Sequence, residues 1–451
     1  LIQELKNYSE VINMAEMKNS GVAWINTIPK EWKLKKIKYA LKNRNENNNP
    51  IRSKNILSLT AKQGVILLEE KEGGGNKPKE DYSAYKLAYP NDIVMNSMNV
   101  LSGSVGLSKY FGCVSPVYYM LRPIDEKDDV RYYNYIFQTT VFQRSLLGLG
   151  NGILMKESDN GKLNTIRMRI PLDKLGNLLI PVPDSPIQKK IADYLDSIIP
   201  NIDMLLADIE KQIETLEEYK KSIITEAVTK GLDPDVEMKD SGIEWIGMIP
   251  KHWKIYRYKH LASLVRGGSP RPAGNPIYYY GDIPFMKVAD ITKDDRMYVD
   301  SCEGSIKPAG LSNTRMVSKG TLLLTNSGAT LGVPKILNID TTINDGIAAF
   351  LNLSNKLNIK FAYYSLKSKT EYFLQVAALG MGQPNLNTDI IGNTYVTIPP
   401  KYEQQKIIEF LDVKCAEIDG AIRDKKEQLE TLEQYKKSVI YEYVTGKKEV
   451  Q

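Results

Sequence analysis

The chain contains nearly the same helical sequence twice, and this repeat limits the folds that it can adopt. ETLEEYKKSIITEAVTKG occupies residues 214–231, and ETLEQYKKSVIYEYVTGK occupies residues 430–447. The match continues without a gap, at the same offset, back to QKKIADYLD at Gln188 and QQKIIEFLD at Gln404. Both copies have one apolar stripe, so each needs a partner surface to cover it.

A second repeat lies upstream of each helix. EMKNSGVAWINTIPKEWK begins at Glu16 and EMKDSGIEWIGMIPKHWK begins at Glu237, with 12 of 18 aligned positions identical. All four tryptophans lie in these two copies: Trp24, Trp32, Trp245 and Trp253. We expect them to anchor the flanking blocks to the helices rather than to contact a partner directly. The chain thus runs element, block, helix, element, block, helix, which indicates a tandem duplication with approximate two-fold symmetry.

The first helical region carries clear start and stop signals. Ser185 suits an N-cap and Gln188 the third position of a capping box. Pro200 interrupts the apolar run that follows, so the sequence predicts a short helix before it and a long helix after it. Gly231 ends the first long helix and Gly446 ends the second.

Apolar residues in each long helix fall on the a and d positions of a heptad repeat. The predicted seam consists of Ile202, Leu205, Ile209, Leu216, Tyr219 and Ile223 in the first copy and Ile418, Leu432, Tyr435 and Val439 in the second. The stripe is too narrow for a helix that is buried on all sides. The simplest solution is that the copies pack on each other as an antiparallel coiled coil; the alternative is that each helix packs on its own block.

Composition excludes several classes of protein. At 451 residues the chain suggests roughly two to four domains, and its 42% hydrophobic and 25% charged residues are ordinary for a globular protein. Three widely spaced cysteines argue against a disulfide framework and a cysteine-rich metal site. Neither a signal peptide nor an apolar run long enough to span a membrane is recognisable, so a cytoplasmic location is expected.

Positive charge is concentrated in two blocks. Residues 30–185 contain 24 Lys and Arg against 16 Asp and Glu, and residues 250–400 contain 17 against 10. The segment 186–249 between them is acidic, with 7 against 14. Two basic blocks favour a polyanionic partner such as nucleic acid, although two ordinary basic domains would give the same split.

The two blocks read as mixed α and β structure. NDIVMNSMNV, GCVSPVYYMLRP, GTLLLTNSG and GNTYVTIPP are short apolar or alternating runs bounded by Gly, Asn, Ser and Pro, which are strand and turn signals. RYYNYIFQTTVFQRSLL and IKFAYYSLKSKTEYFLQVAA are typical of helices.

Catalytic motifs are not identifiable in the sequence. His252 and His260 lack metal-ligand spacing, and the glycine clusters at Gly73 and Gly148 lack the Lys-Ser/Thr ending of a P-loop. IPPKY at Ile398 lacks the leading Asp or Asn and the aromatic residue of an amino-methyltransferase loop, so it is read as a linker into the second helix. The sequence therefore favours a binding protein over an enzyme, with no metal and no cofactor in this chain.

Basic, amide and hydroxyl side chains lie in Gly-rich loops of both blocks. Arg and Lys suit guanine edges and phosphates, whereas Asn and Gln suit adenine. The candidate DNA-contacting residues are Lys77, Lys79, Asn96, Asn99, Lys109 and Asn151 in the first block and Arg266, Ser269, Arg271, Lys287, Asn326, Thr330, Gln383 and Asn385 in the second.

The two helical repeats, the SGIEWIGMIPKHW element and the two unlike blocks resemble the DNA sequence-specificity subunit of type I restriction–modification systems. IPVPDSPIQKKIADYLD and VTIPPKYEQQKIIEFLD are similar to the junction from a recognition domain into a conserved helix of that family. NDIVMNSMNVLSGSVGLSKYFGCVSPVYYMLRP and GGSPRPAGNPIYYYGDIPFMKVAD resemble two kinds of its recognition domain. Pro200 lies opposite Ala416 and departs from strict symmetry.

The resemblance implies a non-catalytic subunit. Each recognition domain would bind half of a split sequence in double-stranded DNA, and two modification subunits would dock on the helices and methylate adenine N6. S-adenosylmethionine, ATP and magnesium would then belong to the partner subunits, which include restriction subunits in some systems. Two alternatives stay open: a stand-alone DNA-modifying enzyme with an unrecognised site, and a coiled-coil scaffold without DNA contact.

The expected fold class is α+β, with two mixed α/β target-recognition domains joined by two long helices that pair as an antiparallel coiled coil. The expected segments are an N-terminal conserved element (1–29), target-recognition domain 1 (30–185), a central helical region (186–231), the second Trp element (232–254), target-recognition domain 2 (255–400) and a C-terminal helical region (401–451).

Overall fold

The computed structural model describes residues 16–60, 63–71, 80–150, 169–328, 330–378 and 385–450. The chain divides into two compact units. Unit 1 comprises residues 1–210 and 427–451, and unit 2 comprises residues 211–426. The two crossing points, after Glu210 and after Lys426, occupy equivalent positions in the two copies of the helical repeat.

Short strands and helices precede the first long helix. The strands are β1 Met17–Asn19, β2 Thr27–Pro29, β3 Lys33–Lys36, β4 Leu41–Asn43, β5 Leu57–Thr60, β6 Gly64–Leu67, β7 Lys86–Ala88, β8 Ile93–Asn96, β9 Val105–Leu107, β10 Gly112–Val114, β11 Tyr118–Pro123 and β12 Leu179–Val182. The α-helices are α1 Ile37–Ala40, α2 Val130–Gln138, α3 Thr140–Ser145, α4 Leu172–Gly176 and α5 Ser185–Lys230. Short 3₁₀ helices cover Leu68–Glu70, Tyr82–Ala84 and Val100–Ser102.

The remaining elements end in the second long helix. The strands are β13 Met238–Asp240, β14 Met248–Pro250, β15 Lys254–Arg257, β16 Ser263–Arg266, β17 Tyr279–Met286, β18 Tyr298–Val299, β19 Ser305–Ile306, β20 Arg315–Val317, β21 Leu322–Thr325, β22 Pro334–Leu337, β23 Thr341–Ile343, β24 Ile347–Leu351 and β25 Tyr395–Ile398. The α-helices are α6 Val288–Thr292, α7 Ile359–Lys367, α8 Thr370–Ala378, α9 Thr388–Asn393 and α10 Lys401–Val444, and 3₁₀ helices cover Tyr258–His260 and Pro308–Asn313.

Both blocks mix strands and helices, as the sequence predicted. The largest sheet of unit 1 has four antiparallel strands in the order β4-β11-β8-β9. Unit 2 has a five-stranded sheet in the order β16-β24-β21-β22-β18 and a four-stranded sheet in the order β19-β17-β23-β20. These two larger sheets of unit 2 each contain one parallel pair, β18 with β22 and β17 with β23. The two blocks therefore share a class but not a sheet topology.

The duplicated Trp element folds into the same hairpin twice. β1 pairs with β2 and β13 pairs with β14, and the register is equivalent: Met17 opposes Pro29 as Met238 opposes Pro250. Three of the four tryptophans are buried, namely Trp24, Trp32 and Trp253. This burial confirms a packing role for the element.

Helix α5 is continuous through Pro200, so the predicted break is wrong. Proline removes one backbone donor and normally costs several kcal/mol inside a helix. Here Pro200 is exposed while Leu195, Ile199 and Ile202 on either side are buried in one core, so tertiary packing outweighs the lost hydrogen bond. The helix begins at Ser185 itself, and no capping box forms because the Gln188 side chain bonds elsewhere.

The two long helices run antiparallel, as the packing inside each unit shows. In unit 1, Ile199 and Ile202 near the start of α5 share a core with Val439 near the end of α10. In unit 2, Val228 near the end of α5 shares a core with Ile408 near the start of α10. Each helix thus contributes one end to each unit.

Ion pairs between the helices repeat this symmetry. In unit 2, Lys220 Nζ of α5 lies 2.6 Å from Asp419 Oδ1 of α10. In unit 1, Lys436 of α10 pairs with Asp203 of α5. The two lysines occupy equivalent positions in the helical repeat, and so do the two aspartates, so the contact occurs once in each direction.

Each block also docks on a helix start through equivalent contacts. In unit 1, Tyr135 of α2 donates to Asp196 of α5 at 2.6 Å. In unit 2, Tyr364 of α7 donates to Asp412 of α10 at 2.7 Å. Glutamine side chains near the helix starts, Gln188 and Gln404, accept from the N-cap backbone N–H of these block helices: Asp129 at 3.1 Å and Asn358 at 2.8 Å. The two unlike blocks are therefore attached to the long helices by equivalent contacts.

Unit 2 buries one lysine without a carboxylate partner among the residues that the structure describes. Lys369 is 3% exposed; its ammonium donates to the carbonyl and hydroxyl oxygens of Ser365 at 2.6 and 2.7 Å and lies 5.2 Å from the Trp245 ring. Burial lowers the pKa of Lys369 from 10.5 to about 7.

We expect Lys369→Met to stabilise unit 2 at pH 6.5, by about 1 to 3 kcal/mol, because an uncompensated charge is removed from the core. The unfolded chain holds this proton up to about pH 10.5 and the folded chain only up to about pH 7. The free energy of unfolding of the unchanged chain should therefore rise between these pH values, and the advantage of the variant should shrink.

Denaturant unfolding at pH 6.5 and pH 9.5 measures both effects. Lys367→Met is the matched control, because Lys367 is ion-paired with Asp295 at 2.7 Å and its loss should not stabilise the unit. Equal stability of the Lys369 variant and the unchanged chain at both pH values would contradict the assignment of a strained buried charge.

Candidate nucleic-acid interface

Three candidates of the second block converge on one turn, residues 344–346 between β23 and β24. Arg266 at the end of β16 donates from Nε to the Asp345 carbonyl at 2.5 Å. Ser269 donates to Asp345 Oδ1 at 2.6 Å, and Arg271 Nη2 lies 3.4 Å from Asp345 Oδ2. The turn sequence NDG joins two strands of different sheets, because β23 pairs with β17 and β20 whereas β24 pairs with β16 and β21. Its aspartate contacts Arg266, Ser269 and Arg271.

Glycines allow this loop to approach the turn. A Cβ on Gly267 would lie 2.2 Å from the Asn344 carbonyl oxygen, and one on Gly268 would lie 2.3 Å from the Asn313 carbonyl oxygen. Both distances are too short for any side chain. The Gly-Gly pair of VRGGSP is therefore required for close packing of the backbones, which in turn sets the positions of Arg266 and Arg271.

Other candidates reach the same turn through the backbone. The Asn326 N–H donates to the Gly346 carbonyl at 2.9 Å, and Lys287 follows Met286, whose carbonyl accepts from the Asn344 N–H at 3.0 Å. Asn385 forms a β-bridge with Ser327, next to Asn326. Thr330 is tied to this strand end, since its carbonyl accepts from the Thr325 hydroxyl at 2.7 Å. Backbone contacts thus bring segments from distant parts of the second block around this turn, and the exposed side chains there define the surface around Asp345.

Exposure separates these candidates into two groups. Arg266, Arg271, Lys287, Thr330 and Asn385 are exposed, whereas Asn326 is fully buried. Neither side-chain polar atom of Asn326 has a hydrogen-bond partner among the described residues. Its amide therefore points into the protein in this structure.

Sequence reasoning missed Asp345 and Arg315 on this surface. Arg315 is exposed and lies opposite Ile343, the last residue of β23, in the pairing of β20 with β23. The NDG signal in the sequence would have identified the turn, but the neighbour relation of β20 depends on the sheet topology.

Of the described candidates of the first block, Asn96 and Asn99 share one turn and Lys109 lies apart from them. Asn96 is buried, and its side chain accepts from the Met98 N–H at 3.0 Å, so it shapes the turn after β8. Asn99 lies in the same turn and is partly exposed. Lys109 lies at the opposite end of the β8–β9 hairpin, because Ser108 N–H donates to the Asp92 carbonyl. Lys77, Lys79, Asn151 and Gln383 lie outside the described residues.

Unit 1 instead contains a basic cavity of about 470 Å³ that sequence reasoning missed. Lys86, Arg169, Asn43 and Asn45 line it, together with Asp173. Burial lowers the pKa of Lys86, and the nearby Arg169 guanidinium lowers it further. The cavity therefore brings two cations and two amide side chains together with one carboxylate.

Burial differs among the residues of the predicted seam between the long helices. Ile202, Ile418 and Val439 are buried, and Leu205, Ile209, Leu216, Ile223, Leu432 and Tyr435 are half-buried. Tyr219 is wrong, because 55% of its surface is exposed. The buried positions there are Lys220 and Ile224, one residue later, since Lys220 turns inward to pair with Asp419 and Asp295.

Among the described residues, no helix is both long enough and apolar enough to cross a membrane, and no group of three His, Cys, Asp or Glu side chains could hold a metal ion. His252 is partly exposed and lies 2.7 Å from Glu403 Oε1, which agrees with a satisfied surface histidine.

The known proteins and the domain family with similar sequences are all named for the specificity function of type I restriction systems. The model of the type I restriction modification DNA specificity domain matches residues 250–431. The type I restriction enzyme MjaVIII specificity subunit of Methanocaldococcus jannaschii is 25% identical over 60% of this chain and 62% of its own length. The MjaIX specificity subunit of the same organism is 31% identical over 44% of each chain. The chain therefore spans less than two thirds of the length of either curated relative.

A solved structure supports the fold. A chain from a structural study of complex assembly and conformational transition in the type I R-M system aligns with a TM-score of 0.68 and 14% identity. The alignment covers 93% of this chain and 99% of that one. Residues 250–431 of this chain therefore match the type I restriction modification DNA specificity domain, and the fold of the chain is similar to that of the solved type I R-M chain.

Proposed function

We propose that this chain is a non-catalytic DNA-binding subunit that recognises a bipartite double-stranded sequence, one half with each block. Two adenine-N6 methyltransferase subunits dock on the helix pair, and restriction subunits join them where the system has them. S-adenosylmethionine, ATP and magnesium act in those partners. The proposed segments are those expected from the sequence, with target-recognition domains at 30–185 and 255–400.

One observation carries this proposal: two blocks with different sheet topologies contact two helices of similar sequence through equivalent residues. Tyr135 with Asp196 and Tyr364 with Asp412 are equivalent anchors, although the sheets behind them differ. Like helices suit two copies of one partner, whereas unlike blocks suit two different DNA sequences. A scaffold without DNA contact would need neither the basic surface around Asp345 nor the cavity at Lys86.

The purified chain alone should not methylate DNA. Combined with two modification subunits and S-adenosylmethionine, it should direct methyl transfer to adenines in a split sequence. Incorporation of radiolabelled methyl groups, followed by mapping of methylated sites, measures this. The control is the modification subunits without this chain. Methyl transfer by the single chain, free of any partner, would refute the proposal.

Basic residues around the Asp345 turn should differ in their effects. Arg271→Ala should cost roughly 1 to 3 kcal/mol of discrimination, mainly at one base pair, because a bidentate base contact is lost. Lys287→Ala should weaken binding to all sequences alike and reduce the salt slope by about 1, as for a phosphate contact. Fluorescence anisotropy with a set of single-base variants of the mapped site tests both, and uniform losses for Arg271→Ala would show that it does not read a base.

A further inference from the structure

Two exposed apolar side chains follow Arg271 in the chain, near the surface around Asp345 described above. Ile277 is 63% exposed and Tyr280 is 74% exposed. Ile277 lies in the loop that leads from Arg271 into β17, and Tyr280 is the second residue of that strand. Exposed isoleucine and tyrosine are individually common, but here they occur as a pair close together in the chain and beside an exposed arginine.

The backbone of Tyr280 is unusual. Its φ is +64°, in the left-handed region that glycine adopts without strain and that bulky residues rarely adopt. Glycine is the next residue, where it is required because a Cβ on Gly281 would lie 2.4 Å from the Ile306 carbonyl oxygen. The position lies at the register shift of β17 between Tyr279 and Ile283, and strained residues of this kind cluster at functional sites, which makes the exposed Tyr280 side chain a candidate for binding.

A rigid layer supports this pair. Tyr279 is buried; its hydroxyl donates to the Pro270 carbonyl at 2.7 Å and its ring packs edge-on against Phe285 at 5.9 Å. The Lys307 N–H donates to the Tyr278 carbonyl at 2.8 Å. Ile277 and Tyr280 are thus presented from a fixed base.

The surrounding charges favour a polyanion as the partner of this surface. Exposed Lys307 lies on the neighbouring strand end, and Arg271 lies at the start of the loop. Among the described residues, Asp345 pairs with Arg271, and Asp282 is exposed in β17. Apolar side chains flanked by cations match DNA, which presents sugars and base faces between phosphates.

We propose that Tyr280, assisted by Ile277, packs against a base step or sugar of the DNA beside the half-site contacted by unit 2. The contact is apolar and tolerant of sequence, because every base has a π face. This inference rests on the proposed function and extends it: unit 2 then binds DNA through an apolar wedge as well as through polar groups around Asp345.

The test uses the full chain and a pool of random-sequence duplexes. Tyr280→Gly should bind about tenfold more weakly, which is about 1.4 kcal/mol, while Tyr280→Phe should bind within about twofold of the unchanged chain. The slope of affinity against salt should not change for either variant, since no charge is lost. Lys307→Ala is the matched control and should lower that slope by about 1.

Folding is controlled separately. Tyr280→Gly relieves the left-handed strain, so its thermal unfolding should occur at an equal or higher temperature. Tyr280→Asn is a second variant, because asparagine tolerates this conformation, and it should also lose DNA affinity. Tyr402→Ala removes a 63% exposed tyrosine elsewhere in unit 2 and should leave affinity unchanged.

Four results would overturn the inference. Tyr280→Gly could bind duplex as well as the unchanged chain, or its salt slope could fall, which would indicate a displaced phosphate contact. The variant could bind DNA normally and fail to assemble with modification subunits, which would make this surface a protein interface. If the unchanged chain and its complex bind no duplex, the proposed function fails as well.

Discussion

A seven-residue insertion in both long helices, after Glu210 and after Lys426, is expected to lengthen the unread spacer of the DNA site by about three base pairs. Seven residues add about 10 Å to a helix, and DNA rises about 3.4 Å per base pair. The two insertion points are where the chain passes between units, and they are equivalent in the helical repeat. A heptad keeps the apolar stripes of α5 and α10 facing each other.

Methylation mapping with the assembled methyltransferase measures the outcome. Both half-site sequences should stay the same, because no residue of either block changes. Exchange of residues 30–185 for those of a relative is the reverse control and should alter one half-site while the spacer stays fixed. Insertion in α5 alone should fail to assemble, since its partner helix would no longer match it. A heptad variant that changes the bases recognised, or that keeps the original spacing, would show that the helices do not set the spacing.

Trp253→Ala is expected to destabilise unit 2 by about 3 to 5 kcal/mol, which lowers its melting temperature by roughly 10 °C. Trp253 is fully buried, donates from Nε1 to Glu403 Oε2 of α10 at 2.8 Å, and packs against Gly231 at the end of α5. Its removal leaves a cavity between both long helices and leaves Glu403 without this donor.

Trp245→Ala is the matched variant. Trp245 is only partly buried and stacks on Tyr372 at 5.2 Å, so its loss should cost much less. Differential scanning calorimetry of the full chain separates the two effects. If Trp253→Ala melted like the unchanged chain but failed to recruit modification subunits, the residue would be a partner contact instead of a packing anchor.

Repeated segments were the most predictable part of this fold. The equal spacing of Lys220 and Lys436, and of Asp203 and Asp419, is visible in the sequence, and it fixes reciprocal pairing once the helices are antiparallel. The break predicted at Pro200 is wrong because packing of the buried residues on both sides of it outweighs its low helix propensity.

The predicted seam between the helices shows a different limit of prediction from the sequence. Tyr219 fits a heptad as an apolar residue, but Lys220 is buried in its place because Asp419 and Asp295 compensate its charge. Asp295 belongs to the second block, far from Lys220 in the chain, so helix periodicity alone carries no information about it. The convergence of Arg266 and Arg271 on Asp345 depends in the same way on strand pairing rather than on local pattern.

The division of the helices between units has a consequence for the order of folding during synthesis. Residues 211–426 form unit 2 as one continuous stretch. The core of unit 1 includes Val439, Ile440 and Val444, which the ribosome makes after all of unit 2. The block that is translated first therefore completes its core last, and until then it exposes the apolar side of α5 to solvent or to chaperones.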